Sequence, residues 1–244
     1  MSDRYRFEDF VTDTAQARDG DALFAYLTRA VGQFGYDRVI FSAPLDLDLP
    51  AELNRNGLMQ NYPDDWQAYY VEKDFARIDP VLRAAATHRH AFTWEELERS
   101  GTWSDAQVRF MRMGEDAGLN HGVGIPFRSQ RALIAGVALA SSQHSDATRP
   151  HLDLINAYCT QFYHAFKRLH ARPPLEPVET PLSAKEREIL SWVAAGKTDD
   201  DIGAILGISR NTVDTHMRHI FHKLDATNRV TAVVKGILHG HIRP

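Results

Sequence analysis

The stretch GKTDDDIGAILGISRNTVDTH, residues 196–216, carries the start signals of two short helices with a single turn between them. Thr198 can accept a backbone N–H at the start of the first helix, and the three acidic residues after it suit the positive end of a helix dipole. Gly207 permits a tight turn, and Ser209 can cap the second helix. Two short helices joined by such a turn, the second of them amphipathic, predict a helix-turn-helix.

The flanking residues extend this pattern to four helices over 182–244. Ser183 and Glu186 have the S-x-x-E spacing of a capping box, and Gly196 is placed to end the helix that they begin. A fourth helix is expected from about Asn228. The positions expected to face inward are Ile189, Leu190, Val193, Ile202, Ile205, Leu206, Val213, Met217, Ile220 and Leu224.

The outward side of the third helix is polar and suits a contact with double-stranded DNA. The first residues of such a helix usually reach base edges in the major groove, whereas Thr212 and Lys223 are better placed for phosphate. The predicted DNA-binding residues are Ser209, Arg210, Asn211, Thr212, Asp214, Thr215, Arg218, His222 and Lys223. From 182 onward nine basic and seven acidic residues give only a mild basic excess. A solvated face on a small helical bundle is the alternative interpretation.

This C-terminal unit resembles the LuxR-type helix-turn-helix throughout its length. The matching segments are LSAKEREIL, GKTDDDIGAIL, GIS, NTVDTH and KLDATNR. Gly203 stands where the family commonly has Ala, which weakens the second helix slightly. Asp214 stands where the family often has Lys or Arg, and a carboxylate accepts from a cytosine amino group rather than contacting phosphate. We therefore expect an operator that differs from those of its relatives.

The composition is that of an ordinary globular protein, with 43% hydrophobic and 25% charged residues among 244. The charged start MSDRYRFEDF is not a secretory signal, and the longest apolar run, 132–140, falls far short of the roughly 20 residues of a membrane span. A single cysteine fits a reducing compartment. We expect a cytoplasmic protein without membrane contact.

Four prolines mark 171–181 as a linker between an N-terminal domain, 1–170, and the helical domain, 182–244. The chain is therefore predicted to be α+β. An α/β/α sandwich with a central antiparallel sheet is expected first, followed by the all-α four-helix unit.

Within the N-terminal domain, 36–44, 121–127 and 133–141 are predicted strands, and RSQRA at 128–132 is a predicted turn. A long helix is predicted over 145–170, with Leu152, Ile155, Cys159, Phe162, Phe166 and Leu169 in a heptad-like seam. That seam can pack on the sheet or form a dimer contact.

The segment NYPDDWQAYYVEKDFARIDP, 61–80, predicts a pocket. Tyr62, Trp66 and Tyr70 recur every fourth residue after the helix start favoured by Pro63, and Asp79 follows. Each aromatic offers apolar area and one donor, and a carboxylate accepts an N–H. Such a set suits a small amphiphile with a carbonyl, an amide and an apolar tail. Core aromatics with a capping Asp are the alternative.

The same segment resembles the acyl-homoserine-lactone-binding domain of LuxR-family quorum-sensing regulators, as do Trp94 in FTWEEL and Gly122 in AGLNHGVGIPF. The resemblance implies that Trp66 donates to the lactone carbonyl, that Asp79 accepts the amide N–H and that Tyr62 donates to the acyl carbonyl. Tyr70 and Trp94 are implied to wall the acyl chain and the lactone ring. The predicted ligand-binding residues are Tyr62, Trp66, Tyr70, Asp79, Trp94, Phe110, Gly124 and Ala138.

Two of these positions depart from the family. Many members carry a pocket Ser or Thr where this chain has Ala138, and often a larger residue where it has Gly124. We therefore expect a roomier pocket with less hydrogen bonding near the acyl carbonyl. A preference for an acyl chain that is bulky or lacks a 3-oxo group follows.

Taken together, the resemblance implies a homodimeric transcriptional regulator. It would bind a small-molecule autoinducer, namely an N-acyl-homoserine lactone, together with promoter DNA and RNA polymerase, with no cofactor. The predicted dimer contacts are the helix over 145–170 and the last helix. The alternative is an orphan receptor of the same type for another small molecule, such as an aryl lactone or a plant compound.

Other classes are less consistent with the sequence. A phosphoacceptor receiver is disfavoured because the first predicted strand follows about 35 helical residues. HRH, 88–90, and HMRHIFH, 216–222, lack a Cys or carboxylate that would complete a metal site. Cys159 lies on an apolar seam and is expected to be inert, and there is no Gly-rich phosphate loop. We expect no catalytic residues and no metal site.

Overall fold

A computed structural model describes residues 4–46, 48–101, 103–127, 134–143, 151–170 and 181–243. The chain forms two compact units, Met1–Arg172 and Pro173–Pro244. Of the predicted linker, only Pro181 is described, and the predicted turn at 128–132 lies outside the described residues.

The N-terminal unit has helices on both sides of one antiparallel sheet, which confirms the predicted sandwich. Its strands are β1 Arg38–Leu45, β2 Met59–Gln60, β3 Phe92–Thr93, β4 Gly122–Phe127 and β5 Ile134–Ala140, in the order β2-β1-β5-β4-β3. Its helices are α1 Phe7–Gln16, α2 Gly20–Gly32, α3 Asp64–Glu72, α4 Pro80–Thr87, α5 Trp94–Arg99, α6 Asp105–Asp116 and α7 Leu152–His170. The three predicted strands are confirmed within two residues at each end.

One face of the sheet is packed with large apolar side chains. Because side chains alternate along a strand, Val39, Phe41 and Ala43 of β1 all point to this face and are fully buried. They join a core that includes α1, α2 and α7. This closely packed layer holds the sheet in place.

The predicted seam of α7 packs on this face. The ring of Phe41 lies 5.2 Å from that of Phe162 and 5.0 Å from that of Phe166. Ile155 and Cys159 are fully buried beside them, and burial raises the pKa of the Cys159 thiol. Packing on the sheet is therefore the correct interpretation of the seam, because its central residues are not available for a dimer contact. The part of the predicted helix before 151 lies outside the described residues.

The opposite face of the sheet carries small side chains. Gly124 of β4 pairs with Ala138 of β5, and Gly136 follows on the same face. The layer of α3 to α6 covers this side through two smaller apolar clusters, one around Trp66 and Phe110 and one around Phe92. Gly136 and Ala138 on the sheet lie beneath large aromatics on the helices, and a space remains between the two layers.

The C-terminal unit consists of α8 Ala184–Ala194, α9 Asp199–Leu206, α10 Arg210–Lys223 and α11 Arg229–Leu238. The three predicted N-caps are confirmed, because the side chains of Ser183, Thr198 and Ser209 each accept a backbone N–H three residues ahead. Asn228 caps the fourth helix in the same way. Gly207 has a φ of 65°, as the turn requires. No described helix of the chain is both long and apolar enough to span a bilayer.

Two expectations for α9 need correction. Ile205 was predicted to face inward but is 46% exposed, because the buried stripe of this short helix passes through Ile202 and Gly203 instead. Gly203 also does more than weaken the helix. A Cβ there would lie 2.8 Å from the carbonyl oxygen of Ile208, so the glycine permits the close approach of the chain entering α10.

Candidate functional site

A cavity of about 250 Å³ lies between the small-residue face of the sheet and the helices that cover it. All eight predicted ligand-binding residues line it: Tyr62, Trp66, Tyr70, Asp79, Trp94, Phe110, Gly124 and Ala138. Residues separated by up to 76 positions in the chain, between Tyr62 and Ala138, are thus brought to one site. A cavity of this kind is the usual setting for a small-molecule ligand.

Packed aromatic rings form one wall of the cavity. The ring of Trp66 lies 6.4 Å from that of Tyr70, 6.1 Å from that of Phe75 and 5.7 Å from that of Phe110. Phe75 and Phe110 in turn meet edge to face at 5.2 Å. Mutual packing orients these rings relative to one another and gives the cavity a continuous aromatic wall.

Asp79 both caps a helix and faces the cavity. Its Oδ1 accepts from the backbone N–H groups of Val81 and Leu82 at 2.8 and 3.1 Å, which starts α4. Its Oδ2 accepts from the Tyr70 hydroxyl at 2.9 Å. Burial raises the pKa of the Asp79 carboxyl, and these three hydrogen bonds offset that rise only in part. Oδ2 can still accept a further N–H, because a carboxylate oxygen has two acceptor sites.

The same contact gives Tyr70 a role that the resemblance did not imply. Tyr70 was expected to be a wall residue only, but its hydroxyl also holds the Asp79 carboxylate. Burial, and then the nearby charge of Asp79, raise the pKa of the Tyr70 phenol. Tyr70 therefore remains a donor throughout the ordinary pH range.

Two further donors are buried at the cavity. Within the described part of the chain, the Tyr62 hydroxyl and the Trp94 Nε1–H have no hydrogen-bond partner. Burial, followed by the charge of Asp79, raises the pKa of the Tyr62 phenol, which stays protonated. A buried donor without an acceptor is unfavourable by about 1–3 kcal/mol. A ligand that supplies carbonyl oxygens would relieve both groups.

The two glycines of β4 serve the rings that pack on them. A side chain at Gly122 would overlap the Trp94 indole, and one at Gly124 would overlap the Phe92 ring. Extra cavity space at Gly124 was therefore a wrong expectation, because Phe92 occupies the space above it. Ala138, the neighbour of Gly124 in the sheet, does line the cavity.

Several lining residues were missed by sequence reasoning. The main ones are Ile40, Ser42, Gln60, Gln67, Leu119 and Ile134. A signal for Ile40 and Ser42 was present, because they alternate with Val39, Phe41 and Ala43 along a predicted strand. The glutamines come from β2 and α3 and carried no comparable signal.

In the C-terminal unit, α10 presents a polar outer surface. Arg210, Asn211, Thr212, Thr215, Arg218 and His222 are exposed there, and Ser209 caps the helix. Asp214 forms an ion pair with Arg218, whose Nε donates to it at 3.1 Å. The Asp214 carboxylate therefore holds one of the guanidinium groups of this surface.

Lys223 is placed differently from the phosphate contact that was expected. Its ammonium lies 2.7 Å from Oε2 of Glu186, a side chain that is only 4% exposed. Burial raises the pKa of Glu186, but hydrogen bonds from Lys223 and Ser183 outweigh it and hold the pKa below the ordinary value. Lys223 therefore joins the end of α10 to the start of α8 and is not a free phosphate ligand.

The prediction that no carboxylate lies near the histidines of α10 was also wrong. Glu186 of α8 approaches His216 and His219, and one possible ligand atom from each residue lies within 4.8 Å of the other two. His222 is not part of this group. Thirty residues separate Glu186 from His216, so only the fold brings them together.

Comparison with known families assigns both units. Residues 19–165 match the model of the autoinducer binding domain, and residues 180–235 match that of the bacterial regulatory proteins of the luxR family.

Individual relatives match along almost the whole chain. The transcriptional activator protein SolR of Ralstonia solanacearum is 32% identical, over 97% of this chain and 98% of SolR. RpaR of Rhodopseudomonas palustris, a quorum sensing-dependent transcriptional regulator, is 31% identical over 95% of this chain and 93% of RpaR. The crystal structure of SdiA from Escherichia coli has a similar fold, with a TM-score of 0.60, 21% identity and 96% coverage of each chain.

Proposed function

The chain belongs to the luxR family of bacterial regulatory proteins as a ligand-responsive transcriptional regulator, not an enzyme, and we propose that its signal is an N-acyl-homoserine lactone. The observation that carries the proposal is the cavity with one acceptor and two unpartnered donors. Asp79 can accept an amide N–H, and Tyr62 and Trp94 can donate to carbonyl oxygens. Trp66 also lines the cavity and keeps the donor role towards the lactone carbonyl that the resemblance implies. An acyl-homoserine lactone offers one amide N–H, two carbonyl oxygens and an apolar chain for the aromatic wall.

The proposed output is activation of transcription by a homodimer in the cytoplasm. The exposed face of α11 supports this, since Val230 and Val234 lie four residues apart and are 74% and 49% exposed. Two such faces can pair and place two copies of α10 on half-sites about one helical turn of DNA apart. Activation through RNA polymerase is proposed because SolR is described as an activator.

Recovering the ligand tests the signal directly. The full-length protein is produced in a host that makes acyl-homoserine lactones, purified and extracted, and the extract is analysed by mass spectrometry. One lactone per chain is expected. A non-lactone compound at the same stoichiometry would instead support the orphan-receptor alternative, and the Trp66→Ala protein controls for adventitious carry-over.

The acyl chain is expected to lack a 3-oxo group, because Ala138 lines the cavity and offers no hydroxyl. Direct binding of matched lactones with and without the 3-oxo group measures this. Ala138→Ser is expected to shift the preference towards the 3-oxo lactone by roughly 2- to 10-fold, the value of one neutral hydrogen bond. Ala138→Cys, of similar size but with a weak donor, is the control. A wild-type preference for the 3-oxo lactone would contradict the assignment.

Arg218→Ala is expected to weaken operator binding roughly 5- to 150-fold, as loss of a base-edge or phosphate contact does, without changing lactone affinity. Fluorescence anisotropy with labelled promoter DNA at fixed salt measures the effect. Arg99→Ala, which removes an exposed arginine from α5 of the other unit, is the control. Equal DNA affinity in the two variants would exclude Arg218 from the interface.

A further inference from the structure

Within the described ranges, one group of three or more His, Cys, Asp or Glu side chains has ligand atoms close enough together to share a metal ion. It consists of Glu186, His216 and His219. The two histidines are three residues apart on α10, so they lie on neighbouring turns of one helix side. Glu186 is contributed by the first turn of α8. The group thus spans a contact between two helices.

Hydrogen bonds already orient the carboxylate of this group. Oε2 of Glu186 accepts from the Ser183 backbone N–H at 2.6 Å and from Lys223 Nζ at 2.7 Å. Both of these bonds are made to Oε2, so neither of them occupies Oε1. Metal-binding carboxylates are commonly held by outer hydrogen bonds in this way.

One imidazole of the group also has an unused nitrogen. Nδ1 of His216 is buried and has no hydrogen-bond partner among the described residues. His219 is exposed, so its ring can turn towards the other two without disturbing the core. The present separations of up to 4.8 Å exceed those of ligands on one ion, and rotation of these side chains would close the difference.

We propose that Glu186, His216 and His219 bind a divalent first-row transition-metal ion, with Zn²⁺ the best match. Two imidazole nitrogens and one carboxylate oxygen suit Zn²⁺, and three protein ligands leave a fourth position for water. The ion links the start of α8 to the middle of α10. It therefore holds α10, the helix with the predicted DNA-binding residues, against α8. The Lys223 ammonium close to Glu186 opposes a second cation, which makes the site reversible rather than permanently filled.

Metal titration of the untagged, full-length protein tests this without signal ligand or DNA. Wild-type protein, His219→Gln, His216→Gln and the control His222→Gln are stripped with a chelator and titrated with Zn²⁺ by calorimetry. Wild type and His222→Gln are expected to bind one ion alike, and each of the other two variants at least tenfold more weakly. Co²⁺ gives an independent readout, because its visible absorption spectrum reports coordination by the site.

His219 decides the result if His216→Gln fails to fold, because His219 is exposed and circular dichroism can verify its variant. Undiminished Zn²⁺ and Co²⁺ binding by folded His219→Gln would overturn the proposal. So would wild-type protein that binds neither ion at micromolar concentration. A rise in the unfolding temperature with Zn²⁺ that is shared by His222→Gln and absent from His219→Gln would support it.

Discussion

Asp79→Ser is expected to weaken the response to signal strongly while leaving the N-terminal unit folded. Serine can cap α4 in place of the carboxylate, because it accepts a backbone N–H at the same helix position. It cannot supply the charged acceptor that we propose for the amide of the ligand. A hydrogen bond to a charged group contributes about 1.5–3 kcal/mol, so lactone affinity should fall roughly 10- to 150-fold. Isothermal titration and a promoter-reporter assay measure the two effects.

The matched control is Asp19→Ser, which makes the same exchange at the start of α2. Asp19 accepts from the Ala22 N–H at 2.8 Å and is exposed, away from the cavity. Lactone affinity should stay at the wild-type level in this variant. Asp79→Ala should additionally lose about 1 kcal/mol of stability, because alanine cannot cap. If Asp79→Ser binds lactone as tightly as Asp19→Ser, Asp79 is a capping residue only.

Lys223→Met is expected to destabilise the C-terminal unit by about 3 kcal/mol. The substitution leaves the buried Glu186 carboxylate without its cation, and breaking a buried pair is unfavourable by about 3–5 kcal/mol. We expect a loss at the lower end of this energy range because the lysine side chain remains 21% exposed. Hydrogen exchange of peptides from 182–242 in the full-length protein measures the loss locally. Wild-type exchange rates in this variant would show that the pair contributes nothing.

Lys185→Met is the control, because the Lys185–Glu188 pair is exposed and should contribute less than about 1 kcal/mol. The pH dependence separates the two variants further. The pKa of Glu186 is lowered in the folded state, so its ion pair stabilises above the ordinary pKa of 4.5 and is lost as pH falls through the lower folded value. The difference between wild type and Lys223→Met should therefore shrink in acid, while that for Lys185→Met stays small throughout.

Local signals made the C-terminal unit predictable. Ser183 with Glu186 and Thr198 with its acidic neighbours each lie within four residues, and such short-range contacts survive in almost any surrounding. The aromatic spacing of 61–80 was informative for a similar reason, since α3 carries both Trp66 and Tyr70 and Asp79 caps α4 only nine residues after Tyr70.

Long-range contacts were the part that sequence patterns could not supply. Lys223 reaches Glu186 across 37 positions, and no local spacing distinguishes it from a surface lysine. The effect of Gly124 depends on Phe92, which a different strand delivers. Ile205 fits a helical stripe, but α9 is too short to bury all of it. In each case the outcome depends on which element packs opposite, and periodicity does not encode that.

Because the cavity between the sheet and the helices can bind a ligand, the lifetime of the protein should depend on the concentration of that ligand. A molecule bound at a hundred times its dissociation constant stabilises the folded state by about 2.7 kcal/mol. The share of unfolded chains then drops about a hundredfold, and proteases act mainly on that share. The number of protein molecules in the cell would therefore rise as more of them bind ligand. The signal would then act in two ways, by occupying each receptor and by increasing the number of receptors that escape degradation.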